Sequence, residues 1–157
     1  HRPQSRPCIK ILLCQRPYVP PARYVRPELF QHACRIFRPL ALSDRAEPRP
    51  FGGQVKAAAR EDGATALRID IANGKASAAL GMGVSSRALA QRAKELPAFL
   101  TALASVSSQK FLPQTGAVLI RNAAGETLGA AGASGGTGDE DEEICIAGIA
   151  AVGLQHG

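Results

Sequence analysis

Apolar residues recur at helical spacing through the middle of the chain. From residue 65 to 83 two alternative faces fit this period, one formed by Leu67, Ile71, Lys75 and Ala78 and the other by Ile69, Ala72, Ala76 and Leu80. We predict a helix here that Thr65 caps. Gly74 lies inside it, and because glycine costs a helix about 1 kcal/mol relative to alanine, we expect another backbone to pass close by. A further helix is predicted from Ser86, with Pro97 dividing it in two.

Strand patterns lie on both sides of these helices. One strand is predicted to begin after Gly52-Gly53 and to end at the turn Glu61-Asp62-Gly63. A hairpin is predicted from Ala117–Arg121 and Thr127–Ser134, because the short loop between them is rich in turn residues. Two glycines in its second strand leave room for a helix or a partner subunit to lie almost against the backbone.

A last helix is predicted from Asp139 to Leu154. Thr137 and Glu140 have the spacing of a capping box, and the acidic run from Asp139 to Glu143 lies at the positive end of the helix dipole. Consecutive carboxylates radiate around a helix, so we predict no metal site in this run. The residues expected to face the core are Ile144, Cys145, Gly148, Ile149 and Val152.

The loop "ASGGTG" between the hairpin and the last helix has the glycine content of a phosphate-binding loop. Free amide groups at a helix N-terminus bind phosphate. Five carboxylates at the start of this helix would repel that anion, however, and no P-loop lysine follows. We therefore interpret Ser134-Gly135-Gly136 as a corner that turns a strand into a helix.

Composition changes abruptly near residue 51. Residues 1–50 contain nine of the eleven prolines and no glycine, whereas all sixteen glycines lie from Gly52 onward. Because proline fixes φ and lacks an N–H, only Glu28–Arg38 in this part is predicted to form a helix. It carries His32, which is most simply a polar surface residue and alternatively a metal or haem ligand. We predict an atypical Pro- and Arg-rich segment at 1–50 and a domain at 51–157.

Charge follows the same division. The chain has a net charge of +6, with residues 1–50 carrying +7 and residues 51–157 carrying −1. A neutral domain does not favour a nucleic-acid partner, and interleaved prolines and arginines without a motif are weak evidence for one in the first segment. No stretch approaches the roughly 20 apolar residues of a membrane span. We expect a soluble cytoplasmic protein with no membrane partner, since Ile9–Cys14 is too short for a signal-peptide core. Secretion stays open because the N-terminal segment is atypical.

Four segments carry a resemblance to a known family. The strings "GGQV...REDGA", "DIANGKASAALGMG", "SSRALA" and "FLPQTGAVLIRNAAGETLGAAGASGGTGDEDEEICIAGIAA" together resemble the GlcG/HbpS family of haem-degrading domain proteins, which also includes the C-terminal module of PduO-type proteins. The resemblance covers residues 51 to 154. It implies a bacterial α/β (α+β) protein in which an antiparallel β-sheet is flanked by helices and which forms homo-oligomers. It also implies a haem or other tetrapyrrole ligand, with a corrinoid as the alternative, and at most weak haem-degrading activity.

The first third of the chain departs from this family. Members normally begin with a long helix and a strand that lead into a "DAGG" turn, and only the glycine pair of that turn, Gly52-Gly53, is present here. Because composition changes at the same point, we hypothesise that residues 1–50 are a frame-shifted translation or a disordered segment. A missing strand would expose a sheet edge, and a missing helix would uncover an apolar face.

The resemblance places the family's motif positions at Lys75, Ser134, Gly135 and Gly136, and His32 completes the set of candidate cofactor-binding residues. For Lys75 a solvated helix lysine is the simpler interpretation. The sequence offers no catalytic set, because nucleophile, base and orienting groups cannot be assembled around one histidine in a structured setting.

A haem site needs an apolar slot, basic groups for the propionates and usually an axial ligand. Arg60, Arg68 or Lys75 are the candidates for the propionates. Among axial ligands, Met82 lies in a glycine-flanked turn, His156 in the tail and Cys145 in the expected core. Two other functions stay open: a ligand-free oligomerisation module, and an accessory protein of small hydroxy-acid or diol metabolism.

Overall fold

The computed structural model describes residues 9–14, 55–60, 64–107, 110–151 and 153–157. In chain order the elements are β1 (Ile9–Cys14), β2 (Val55–Arg60), α1 (Leu67–Met82), α2 (Ser86–Glu95), α3 (Pro97–Val106), β3 (Ala117–Arg121), β4 (Thr127–Ser134), α4 (Gly138–Ala151) and β5 (Gln155–His156). The helix predicted at residues 28–38, with His32, lies outside the described residues, and so does the composition break near residue 51.

The five strands form one antiparallel sheet in the order β2-β1-β4-β3-β5. The α+β class, with an antiparallel sheet and flanking helices, is therefore confirmed. The predicted hairpin is confirmed at both of its strands, and Asn122 organises its loop by accepting hydrogen bonds from the backbone N–H groups of Ala124 and Glu126. Gly125 occupies the left-handed region there, at φ +78°.

Strand β1 corrects the expectation of a missing sheet strand. It pairs with β2 on one side and with β4 on the other, so residues from the first third of the chain lie inside the sheet. The sequence of the strand contains no proline, so each of its residues has the N–H that a ladder needs. The division of the chain at residue 51 stays a prediction.

Helix α1 covers one face of the sheet. Of the two faces that its period allows, the one with Ala72, Ala76 and Leu80 is buried, and it packs on Leu119 and its neighbours in the hairpin. The alternative face is wrong at its first position, because Leu67 is 63% exposed. Thr65 does not cap the helix: Ala66 occupies the N-cap position, and no side chain accepts a hydrogen bond there.

Glycines allow the close approaches that the sequence predicts. A Cβ on Gly132 of β4 would lie 2.5 Å from the carbonyl oxygen of Ala72, so α1 rests almost directly on the strand backbone. Within α1, the carbonyl oxygen of Gly74 accepts a hydrogen bond of 3.0 Å from the N–H of Leu112. A Cβ on Gly74 would lie 3.0 Å from the Leu112 side chain, which is tighter than ordinary van der Waals contact.

Helix α4 covers the opposite face. Its Cys145 and Ile149 pack against Val118, Ile120 and the neighbouring side chains of the hairpin. The predicted inward face is confirmed at Cys145, Gly148 and Ile149, which are buried, whereas the side chain of Val152 is outside the described residues.

Helices α2 and α3 are joined at Pro97, as predicted, and proline takes the first helical position of α3. Ser86, at the start of α2, is fully buried and clamps β3: its hydroxyl accepts a hydrogen bond from Ala117 N–H (2.7 Å) and donates one to Ala117 C=O (2.9 Å). Helix α3 buries only Leu100. In the part of the chain that the structure describes, no helix combines the length and hydropathy needed to cross a membrane.

Candidate functional site

The corner between β4 and α4 has the geometry that the sequence predicts. Strand β4 ends at Ser134, and α4 begins at Gly138. A capping box closes the helix: Thr137 N–H donates to Glu140 Oε2 (2.7 Å), and Glu140 N–H donates to Thr137 Oγ1 (3.3 Å). The N-terminal amides of the helix are thus partly satisfied by the protein's own side chains, which is consistent with a structural corner.

Beneath the corner lies a buried ion pair. Lys75 Nζ of α1 lies 2.9 Å from Asp141 Oδ2 of α4 and donates a second hydrogen bond to the carbonyl oxygen of Ala133 (3.3 Å). The other carboxylate oxygen, Asp141 Oδ1, accepts from Gly136 N–H at 3.1 Å. The two side chains are 6% and 2% exposed. Together they join α1, the end of β4, the glycine corner and α4, so the solvated-lysine interpretation of Lys75 is wrong.

Gly116 makes room for this pair. Its φ of +124° lies in the region that favours glycine, and a Cβ there would lie 2.6 Å from Lys75 Nζ and 2.9 Å from Asp141 Cβ. Glycine is therefore required before β3 for two reasons: the backbone conformation, and the lack of space for a Cβ beside the ammonium group of Lys75.

Two arginines lie on the face of the sheet that α1 covers, and one of them contacts the corner. Arg60 of β2 and Ser134 of β4 both lie opposite Ile9 of β1, so their side chains project to the same face of the sheet. Arg68, in the first turn of α1, donates from Nη1 to Ser134 Oγ (3.3 Å). Arg60 donates from Nη1 to the carbonyl oxygen of Ala64, at 2.5 Å, just before the same helix.

A second charged group lies between α2 and the first turns of α4. Arg87 of α2 donates from Nε to Glu142 Oε2 (2.7 Å) and from Nη2 to Asp139 Oδ1. The hydrogen bonds with Glu142 and then Asp139 raise the pKa of Arg87 further above its usual range. Glu143 and Ile146 complete an open depression around this group.

The acidic residues at the start of α4 therefore have different partners. Asp141 pairs with Lys75 and Glu140 caps its own helix, while Asp139 and Glu142 bind Arg87. Among the described residues, no group of three or more His, Cys, Asp or Glu side chains is arranged to hold a metal ion.

The structure brings three of the candidate residues together around one carboxylate and one guanidinium. Ser134 contacts Arg68, Gly136 contacts Asp141, Lys75 pairs with Asp141, and Gly135 lies between the two contacts. None of these contacts involves a ligand, so the binding roles of these residues, like that of His32 outside the described residues, stay predictions.

Asp141 is a residue that sequence reasoning missed, although a signal for it exists. Cys145, Gly148 and Ile149 follow it at four, seven and eight positions, the spacing of one helix face, and this is the face that is buried. The helical period therefore marks Asp141 as an inward carboxylate, together with Glu142, which lies three and seven positions before Cys145 and Ile149 and is also buried. An inward carboxylate requires a cation, and Lys75 is a buried cation of α1, the helix on the other face of the sheet.

Comparison with known proteins identifies the family. The model of the family described as "Haem degrading protein HbpS-like" matches residues 50–150. No curated protein sequence matches the chain significantly.

Among solved structures, the fold is similar to that of PduOC in its haem complex, with a TM-score of 0.63 and 18% identity over 95% of this chain and 80% of that one. It is also similar to a double mutant of Streptomyces reticuli HbpS (TM-score 0.59, 20% identity, 92% and 70% of the two chains). A third similar structure is the Klebsiella pneumoniae protein ORFY (TM-score 0.58, 14% identity, 94% and 76%). These structural likenesses show the fold, whereas the family model spans more than half of the sequence. The chain belongs to the HbpS-like family of haem-degrading proteins.

Proposed function

We propose that this protein binds haem, or a closely related tetrapyrrole, in haem sequestration, sensing or degradation. The observation that carries the proposal is the match of the HbpS-like family model to residues 50–150. The similarity of the fold to PduOC, which was solved as a haem complex, supports it.

The basic residues of the chain fit the carboxylates of such a ligand. Of the three candidates for a propionate contact, Lys75 is buried and already neutralised by Asp141. Arg60 and Arg68 are bound to a carbonyl and a hydroxyl oxygen, and within the described residues neither forms an ion pair. Their positive charge is therefore available to an acidic ligand, whereas Lys75 supports the corner from inside.

The candidate axial ligands lie elsewhere. His156 of β5 lies at the opposite sheet edge from Arg60 of β2, four strand spacings or about 19 Å away. Met82 ends the helix whose first turn carries Arg68, about 21 Å along its axis. Cys145 is packed in the core on the other face of the sheet. The iron of a haem whose propionates bind the two arginines would therefore lie far from all three of these side chains.

Titration with haemin tests the proposal. We expect a shifted Soret band that saturates at one haemin per subunit, and a parallel titration with aquocobalamin tests the corrinoid alternative. A linear, non-saturating response to haemin would contradict haem binding. Saturation with aquocobalamin but not with haemin would identify a corrinoid as the ligand instead of haem.

A second candidate function, oligomerisation without a ligand, is favoured by one observation. On and beside α3, Leu96, Phe99 and Val106 are 56%, 53% and 78% exposed. Apolar side chains this exposed are typical of contacts between subunits. We propose a homo-oligomer that uses this helix. Sedimentation of the protein without haemin should show an oligomer, and Phe99→Ser should shift it toward the monomer; a monomeric parent protein would contradict the idea.

A further inference from the structure

Arg60 and Arg68 lie on the α1 face of the sheet, and within the described residues neither lies against a carboxylate. Lys75 and Arg87 each lie against carboxylates. Arg60 and Arg68 share one face of the sheet, and each has one hydrogen bond from Nη1 to a neutral oxygen. A neutral acceptor orients a guanidinium group without cancelling its charge, so both groups are held in place with their charge uncompensated by described residues.

We propose that Arg60 and Arg68 form a subsite that recognises the two propionate groups of the tetrapyrrole, with Ser134 as the positioning residue of Arg68. A guanidinium group has five N–H donors in a planar fork, and a single hydrogen bond leaves the other donors available to a carboxylate. Leu67, which precedes Arg68 and is 63% exposed, supplies apolar surface at the same end of α1. A dicarboxylate with an apolar body matches this combination, and the inference rests on the proposed function.

Ser134 holds Arg68 because the fold fixes the serine from two sides. Its residue is 1% exposed, it ends β4, and it lies in register with Ile9 of β1. The glycine corner that follows is held by Asp141 through Gly136 N–H. The buried pair beneath the corner therefore stabilises the residue that positions Arg68, and in this way Lys75 supports binding without contacting the ligand.

The test compares haemin with haemin dimethyl ester, whose propionates are uncharged. We expect the parent protein to bind haemin more tightly than the ester by tenfold or more, since each charge-assisted hydrogen bond is worth about a factor of ten. Arg60→Gln with Arg68→Gln should weaken haemin binding by about 100-fold and leave ester binding unchanged. Arg92→Gln, which removes an exposed cation of α2, is the matched control and should change neither. Circular-dichroism melts establish that each variant is folded.

The possible outcomes separate the two proposals. If the parent protein binds neither probe, the proposed function fails and the subsite fails with it. If the parent protein binds haemin and the double variant binds it equally well, haem binding stands and the subsite is overturned. The subsite is also overturned if the double variant loses the same affinity for haemin and for the ester. It is overturned as well if the parent protein binds haemin and the ester equally tightly. Arg60 is exposed, so Arg60→Gln alone, with an expected tenfold loss for haemin only, decides the question if the double variant does not fold.

Discussion

Asp141→Asn removes one charge of the buried pair and leaves the other in place. The side chains of Lys75 and Asp141 are 6% and 2% exposed, so solvent cannot replace the lost carboxylate. Removing one partner of such a pair costs about 3–5 kcal/mol, because the remaining charge is buried without compensation. Domains have a total free energy of unfolding of about 5–15 kcal/mol. For a chain of this size the expected fall in Tm is roughly 6–20 °C.

Urea unfolding followed by far-ultraviolet circular dichroism measures this loss, since the chain has no tryptophan. Lys75→Met should destabilise by a similar amount, and the double variant should lose less than the sum of the two, because no isolated charge remains. Asp139→Asn, two positions away with a side chain 74% exposed, is the control and should unfold like the parent protein. A loss below about 1 kcal/mol for Asp141→Asn, or strict additivity in the double variant, would refute the reasoning.

Three further variants test the supports of the site. Gly116→Ala should destabilise the protein by about 2 kcal/mol or more, because the backbone is at φ +124° and the new Cβ would lie 2.6 Å from Lys75 Nζ; a melt unchanged from the parent protein would contradict this. Thr137→Ala should cost about 1 kcal/mol through loss of the capping box, measured by urea unfolding, and Thr137→Ser should retain most of the stability. Ser86→Ala should cost about 1–3 kcal/mol, because both backbone groups of Ala117 lose their buried hydroxyl partner; faster amide exchange at Ala117 would accompany the loss, and unchanged exchange there would argue against the clamp.

The parts of the fold that depend on neighbouring residues were predictable. The hairpin at 117–134 follows from turn residues between two apolar runs, and the corner follows from the spacing of Thr137 and Glu140. Both features depend on residues that are only a few positions apart in the sequence. The inward face of α4 was predictable for the same reason, since its period is a local property.

The candidate site depends on pairings between distant segments, which the same reasoning could not reach. Lys75 and Asp141 are far apart in the chain, and the class of each residue alone predicts an exposed position. The convergence of Arg60 with Ser134 requires knowing that both lie opposite Ile9. A missing strand was expected because the first third does not resemble the start of the family, but a strand needs only a short proline-free window, and residues 9–14 provide one.

The position of β1 has a consequence for how the protein acquires its structure during synthesis. Residues 9–14 are made before the rest of the sheet, and one of their two ladders waits for β4, whose Ser134 is made on the order of ten seconds later at ordinary translation rates. Until then the nascent chain presents an apolar strand with an unsatisfied edge. Chaperones should therefore be needed by the growing polypeptide rather than by the finished molecule. Slower translation should lengthen the interval in which the growing polypeptide can aggregate.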